Sequence, residues 1–188
     1  LLTFVAAFAV CLACYGNTKP QTFMVEMRDG VKLATDLYHD PNHRQPKPAI
    51  LVRTVYDKNQ TYGWNPVWAT LVDQGYAVLI QDIRGRFESE GVYRLARGRR
   101  EDGIDTLDWL VAQPWSNGKV GLSGCSYLGE TQVVLEATHH PALVVGQPQS
   151  PASGYYRPGR AWQSFGGGAF DLAQTAGWFA GSGAIKRG

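Results

Sequence analysis

The sequence is poor in cysteine, histidine and charge. Three cysteines occur in 188 residues, and two of them, Cys11 and Cys14, stand in an apolar opening segment. Cys125 is then alone, so no disulfide framework is implied. Charged residues make up 18% and the net charge is +2, which gives no electrostatic footprint for nucleic acid. The densest basic stretch, RLARGRR (Arg94 to Arg100), runs straight into Glu101 and Asp102 and reads as a solvated loop entering a helix. There is no H-E-x-x-H and no Cys/His ligand spacing, so no metal is implied. The glycines between Ile83 and Gly91 do not form G-x-x-x-x-G-K-S, and Asp82, Glu88 and Glu90 do not make a cation site. No cofactor is expected.

What the chain has is apolar material for a core: 44% of residues are hydrophobic, the composition of a globular domain. The opening LLTFVAAFAVCLACYGN is apolar for about 14 residues, short of the roughly 20 that span a bilayer. It reads as the h-region and cleavage zone of a secretory signal, residues 1–19, whose basic start is missing. A buried helix or membrane anchor is the alternative. The signal reading implies a secreted or periplasmic protein. Ala13-Cys14 is similar to a lipoprotein processing site, but Cys11 stands where a leucine belongs. The first residue is not Met, which fits a clipped start.

From residue 20 the pattern becomes regular. Thr22 to Asp40 alternates on both sides of Asp29-Gly30, a hairpin turn signal. After the Pro-rich connection Pro41 to Pro48, Ala49 to Tyr56 is an apolar run suited to a strand covered on both faces. Asn65 to Gln74 reads as a helix with Asn65 as cap and Pro66 in the first turn, ended by Gly75. Tyr76 to Asp82 is a second buried strand, and Ile83 to Arg94 a charged loop. Glu101 to Gln113 is an amphipathic helix with Ile104, Leu107, Leu110 and Val111 on one face. Lys119 to Gly124 is a strand, Tyr127 to Thr138 a helix, and Ala142 to Gln149 a strand. This alternation predicts an α/β fold: a mostly parallel central sheet with an antiparallel hairpin at its N-terminal edge. Residues 20–150 form that unit. Residues 151–188 are rich in Gly and aromatics, with a short helix predicted over Phe170 to Phe179, and read as the start of a cap or insertion. Ligands of such sheets bind beyond the carboxyl ends of the strands.

One of those ends is GLSGCSYLGET, Gly121 to Thr131. It offers two serines, and G-x-S-x-G fits neither. With Asn117-Gly118 as a turn, a strand reaching Ser126 has a normal length, whereas one reaching Ser123 is too short. The helical pattern also begins right after Ser126. Ser126 is therefore the candidate nucleophile of a strand–turn–helix elbow, and Ser123 lies in the strand. Gly124 supplies the small residue two places before, and Gly129 permits a close helix–strand approach. The Tyr127 amide falls at a helix N-terminus, where it can donate to an oxyanion. The Tyr56 hydroxyl could supply a second donor, although a tyrosine at a strand end is often only packing.

Several segments resemble the α/β-hydrolases of the CocE/NonD type, grouped with Xaa-Pro dipeptidyl-peptidases (S15), cocaine esterase, α-amino-acid ester hydrolases and glutaryl acylases. They are MRDGVKLATDLY, LVRTVYDK, GYAVLIQDIRGRFESEG, EDGIDTLDWLVAQPWSNGKVGLSGCSYLGE and HPALVVGQPQS. The family's nucleophile motif G-x-S-Y-x-G matches Gly124, Ser126, Tyr127 and Gly129. Its oxyanion motif R-T-P-Y-x-K matches Arg53, Thr54, Tyr56 and Lys58, with Val55 in place of proline. The resemblance implies that Ser126 is the nucleophile, with the Tyr56 hydroxyl and the Tyr127 amide as oxyanion donors. It makes Asp82 to Arg86 and Ser89 to Gly91 loop architecture beside the site. The substrate it implies is a small ester, amide or short peptide; oligomeric state is left open.

A serine nucleophile needs a base. After Ser126 the histidines are His139 and His140, across a helix and roughly 20 Å away at 1.5 Å per residue. They read as residues favourable to the helix C-terminus. The one aspartate after Ser126 is Asp171, in the presumptive cap. The acid and the histidine are expected beyond residue 188, which makes the chain a fragment of a longer hydrolase, inactive by itself. The alternative is a binding module that keeps the sheet without the catalysis.

Overall fold

The computed structural model describes residues 19–93 and 99–151. The signal and anchor readings at the N-terminus, Arg94 to Gly98, and the cap with its helix at Phe170 to Phe179 lie outside the described residues. No described helix is long and apolar enough to cross a membrane.

The hairpin forms as the alternation predicts. Strands β1 (Gln21–Glu26) and β2 (Lys32–Tyr38) pair antiparallel, and the Gly30 amide donates to the Met27 carbonyl to close the turn at 2.8 Å. Next come β3 (Lys47–Thr54), a four-residue helix α1 (Lys58–Thr61) continued by a 3-10 turn (Tyr62–Trp64), and helix α2 (Pro66–Asp73). Asn65 caps α2 by accepting from the Val67 amide at 3.1 Å, as its sequence position predicts. Strand β4 (Ala77–Asp82), helix α3 (Arg99–Val111), strand β5 (Ser116–Cys125), helix α4 (Tyr127–Glu136) and strand β6 (Leu143–Gln149) complete the unit. The sheet runs β1-β2-β4-β3-β5-β6. The hairpin joins it antiparallel through β2 and β4, and the remaining pairs are parallel.

Most element ends fall within two residues of the sequence reading, and two differences are larger. Strand β5 begins at Ser116 rather than Lys119. The Asn117-Gly118 signal is a bulge inside the strand: Lys47 faces Ser116, but Ala49 faces Val120. The Asp57 to Trp64 stretch was given no helix. Yet Asp57-Lys58-Asn59-Gln60 has capping-box spacing, and Gln60 Nε2 does reach Asp57 Oδ2 at 3.3 Å.

The core has two layers because strand side chains alternate. Leu51 and Leu79 point to α3 and α4, where they meet Leu107, Leu110 and Leu135. Val52, Val78 and Ile80 point the other way, onto Trp68 and Val72 of α2. All of these are at least 97% buried, which is why the middles of β3 and β4, Ala49 to Val52 and Ala77 to Ile80, are apolar on both faces. Truncating Leu79 or Leu107 to alanine should destabilise the fold by about 2–5 kcal/mol. The consequence for function is positional: a rigid sheet aims the ends of β3, β4, β5 and β6 at one edge.

Candidate active site

At the carboxyl end of β5 the chain turns through a single residue. Ser126 sits at φ 59°, ψ −125°, a backbone conformation that costs about 1–3 kcal/mol in a residue with a Cβ. Neighbours hold it there. The Ser126 amide donates to the Gln149 carbonyl of β6 at 2.9 Å, and its own carbonyl accepts the first helical bond from the Glu130 amide at 3.0 Å. Gln132 Nε2 donates to the Gly124 carbonyl at 3.0 Å, while its Oε1 accepts the Gln147 amide at 3.0 Å. The two glycines of the motif are steric requirements. Gly124 has φ 134°, and a Cβ there would lie 2.5 Å from Leu128 Cβ. A Cβ on Gly129 would lie 2.7 Å from the Gln149 carbonyl oxygen. The close approach that Gly129 allows is therefore to β6, the strand beyond the elbow.

Ser126 occupies the cap position of α4, but its side chain makes no capping bond. The residue is exposed, and its Oγ lies 3.3 Å from the Tyr56 hydroxyl. Tyr127 opens the helix, where the first amides lack intrahelical acceptors. Its ring is buried and meets the Tyr56 ring edge-on, centroids 6.4 Å apart. Ser123, as read from the sequence, belongs to the strand, and its Oγ accepts from Trp68 Nε1 at 3.2 Å.

Tyr56 follows β3 in a turn that is also strained. Asp57 has φ 85°, ψ 110° and caps α1 by accepting from the Asn59 amide. The Tyr56 amide donates to Thr54 Oγ1 at 3.0 Å, and that hydroxyl lies 3.1 Å from Thr61 Oγ1. Below is a cluster that no periodicity in the sequence reveals. Lys58 is 1% exposed, and its ammonium contacts Asp36 at 3.0 Å and Glu88 at 2.9 Å. Burial opposes the Lys58 charge, but the hydrogen bonds that its ammonium donates to Glu88 and Asp36 outweigh it and leave its pKa above the ordinary value. Asp82 accepts the Lys58 amide at 2.8 Å and the Glu88 amide at 3.3 Å. Burial pushes the Asp82 pKa up to about 6 despite those two bonds. Asp82 thus organises the loop, as read from the sequence. The one legible trace of the cluster is an aspartate, Asp36, inside the strand KLATDLY.

Among the described residues no histidine lines the cleft beside Ser126. His140 is fixed elsewhere: its Nδ1 accepts the Ala142 amide at 3.2 Å, which leaves Nε2–H facing Asp108 Oδ1 at 3.1 Å. It ties the end of α4 to α3 rather than acting on the helix dipole alone. The cleft has a volume of about 890 Å³ and is lined by Trp68, Leu71 and Val145 together with Tyr56, Ser126 and Gln149. Cys125, also in the lining, is a free and exposed thiol. Among the described residues no group of His, Cys, Asp and Glu could hold a metal ion.

A strained serine between a parallel strand and a helix, at the carboxyl edge of a mixed sheet, defines the α/β-hydrolase fold. Comparison with known proteins narrows the class. The family X-Pro dipeptidyl-peptidase (S15 family) matches residues 29–186. The cocaine esterase of Rhodococcus sp. (strain MB1 Bresler) is 41% identical over 160 residues, covering 84% of this chain and 27% of the esterase. An α-amino-acid ester hydrolase superposes with a TM-score of 0.65 at 35% identity, covering 71% of this chain and 25% of that one. A CocE/NonD family hydrolase from Staphylococcus aureus gives a TM-score of 0.68 at 27% identity, covering 89% of this chain and 33% of that one. The chain belongs to the S15 family, among the CocE/NonD-type α/β-hydrolases. It spans 27% of the length of the curated cocaine esterase that it matches.

Proposed function

We propose that the full-length protein is a serine acyl hydrolase in which Ser126 is the nucleophile and the Tyr56 hydroxyl and Tyr127 amide form the oxyanion hole. The observation that carries this reading is the 3.3 Å approach of the Tyr56 hydroxyl to an exposed Ser126 Oγ held at φ 59°. Ser126 Oγ attacks the substrate carbonyl carbon while a base removes the hydroxyl proton. The carbonyl π electrons move to oxygen, and the oxyanion accepts hydrogen bonds from Tyr56 and from the helix N-terminus, where the α4 dipole is positive. The tetrahedral adduct expels an alcohol or amine, which takes the proton from the base. Water then releases the acyl group from Ser126 by the same steps in reverse. The base and its orienting carboxylate belong to chain beyond residue 188.

The substrate class is a small ester, amide or short peptide, with esters first, since the names of two relatives describe ester hydrolysis. The cleft offers an apolar acyl group Trp68, Leu71 and Val145 to pack against. Turnover of p-nitrophenyl acetate and butyrate by the full-length gene product tests the reading. Ser126→Ala should lower kcat by at least about 10⁴-fold, the scale on which serine hydrolases lose activity without their nucleophile. Equal turnover by the variant removes Ser126, and no turnover by a folded wild-type protein on any ester or aminoacyl amide favours a binding module.

A further inference from the structure

The turn that carries Tyr56 is fastened by charges that the acyl-transfer chemistry does not use. On one side Arg86 Nε donates to the Val55 carbonyl at 3.2 Å. On the other stands Asp57 with its left-handed backbone, then Lys58. Lys58 draws on three parts of the fold. Its ammonium meets Asp36 on β2 at 3.0 Å, and Asp36 in turn accepts from Thr22 Oγ1 on β1 at 2.6 Å. It meets Glu88 in the loop after β4 at 2.9 Å, and its amide donates to Asp82 at the end of β4. Asn59 closes the ring, with Nδ2 donating to both Asp57 and Glu88 at 3.0 Å.

A buried ion cluster is weak evidence for stability, because desolvation offsets the attraction and a packed apolar group would serve as well. What charge supplies that an apolar contact does not is direction: hydrogen bonds with fixed partners fix where the backbone runs. A strained residue persists only where its surroundings over-determine it. Here the over-determination falls one residue from the Tyr56 side chain, which must stay within hydrogen-bond reach of Ser126.

We propose that Lys58, clamped by Asp36, Glu88 and Asp82, is a positioning residue that holds the Tyr56 hydroxyl over Ser126. The proposal rests on the reading of Tyr56 as an oxyanion donor, and the test separates the two. In the full-length gene product, kcat and KM for p-nitrophenyl butyrate are measured for Tyr56→Phe, Lys58→Met and the double variant. Misplacing a catalytic group by about an ångström costs on the order of 10²-fold, so Lys58→Met should lose about 10- to 100-fold in kcat with little change in KM. On the Tyr56→Phe background the same substitution should cost nothing further, because a residue acting through Tyr56 has nothing left to position. An unchanged kcat in folded Lys58→Met, or an equal loss with and without the Tyr56 hydroxyl, overturns the proposal. An unchanged kcat in Tyr56→Phe instead overturns the oxyanion reading beneath it.

Two further variants cover the case in which Lys58→Met does not fold. Lys58→Met with Asp36→Asn removes both partners of the fully buried Lys58–Asp36 ion pair together. Glu88→Gln touches a side chain that is 52% exposed and leaves its backbone bond to Asp82 in place. Glu88→Gln should lower kcat about 2- to 5-fold in the presence of Tyr56 and not at all in Tyr56→Phe. A loss of the same size on both backgrounds, or no loss on either, counts against the proposal.

Discussion

Two turns at the same edge of the sheet carry the candidate chemistry, and they are built by opposite means. The turn after β5 and the turn after β3 each force a residue with a side chain into the left-handed region, Ser126 at φ 59° and Asp57 at φ 85°. Each leads into a helix. The first is locked by what is missing: Gly124 and Gly129 leave no Cβ between the elbow, α4 and β6, and backbone bonds with the Gln132 side-chain amide do the rest. The second is locked by buried charge, with Lys58 gripped by Asp36 and Glu88 while Asp82 holds two backbone amides. The difference makes physical sense. A nucleophile must meet its substrate in a confined space, so it is held by close packing. A side chain that reaches across to it can be anchored from below, where three parts of the fold converge on the buried Lys58 ammonium.

The comparison can be broken or sharpened in steps. After Ser126→Ala itself, the largest effect belongs to the tip of the charged turn. Tyr56→Phe should lower kcat roughly 10²- to 10³-fold, about 2.7–4 kcal/mol of transition-state stabilisation, with the melting temperature nearly unchanged. A steady-state assay beside a thermal melt reads both. At the packed turn the damage should be structural. Gly124→Ala puts a Cβ 2.5 Å from that of Leu128 at φ 134°, and we expect a loss of about 2–3 kcal/mol in a urea titration. The loss should be the same at low and high salt. Smaller is Ser123→Ala, which removes the acceptor for Trp68 Nε1. It should cost about 1 kcal/mol and leave ester turnover within about twofold, whereas a collapse of turnover would mean that the wrong serine has been assigned.

The smallest effect is a titration. The folded Asp82 binds its proton more tightly than the unfolded chain does, because burial raises its pKa from 3.8 to about 6. The unfolded state therefore loses that proton first as pH rises. Asp82 should favour the folded state most below about pH 4, and its contribution should fall until about pH 6. A carbon-detected carboxyl titration should place its midpoint near 6. A midpoint near 4 would show that the cluster is wetter than its geometry implies.

The packed turn was far more legible in the sequence than the charged one. Small residues at set spacings, a strand pattern before Ser126 and a helical pattern after it are local signals, although the surface that requires Gly129, the Gln149 carbonyl, lies on β6. The parallel sheet with covered central strands followed from similar logic, since apolar runs such as Ala77 to Ile80 suit positions covered on both faces, whereas the strand order depends on long-range pairing. The charged cluster joins residues 36, 58, 82 and 88, whose meeting depends on β2 pairing with β4. Nothing in the polar string YDKNQ signals that its lysine is buried. The start of β5 was misjudged for a related reason: Asn117-Gly118 favours a turn locally, but pairing with Lys47 draws Ser116 into the strand and leaves the signal as a bulge.

The central claim is that Ser126, and no neighbouring nucleophile, takes the acyl group. Ser123 and Cys125 lie within three residues of it, and Cys125 is exposed in the same cleft. Treating the full-length gene product with phenylmethylsulfonyl fluoride and mapping the adduct by peptide mass spectrometry separates the three. The account predicts one sulfonyl group on Ser126, with activity lost in proportion to labelling. An adduct on Ser123 or Cys125 that abolishes turnover, or full activity with Ser126 fully labelled, would contradict it.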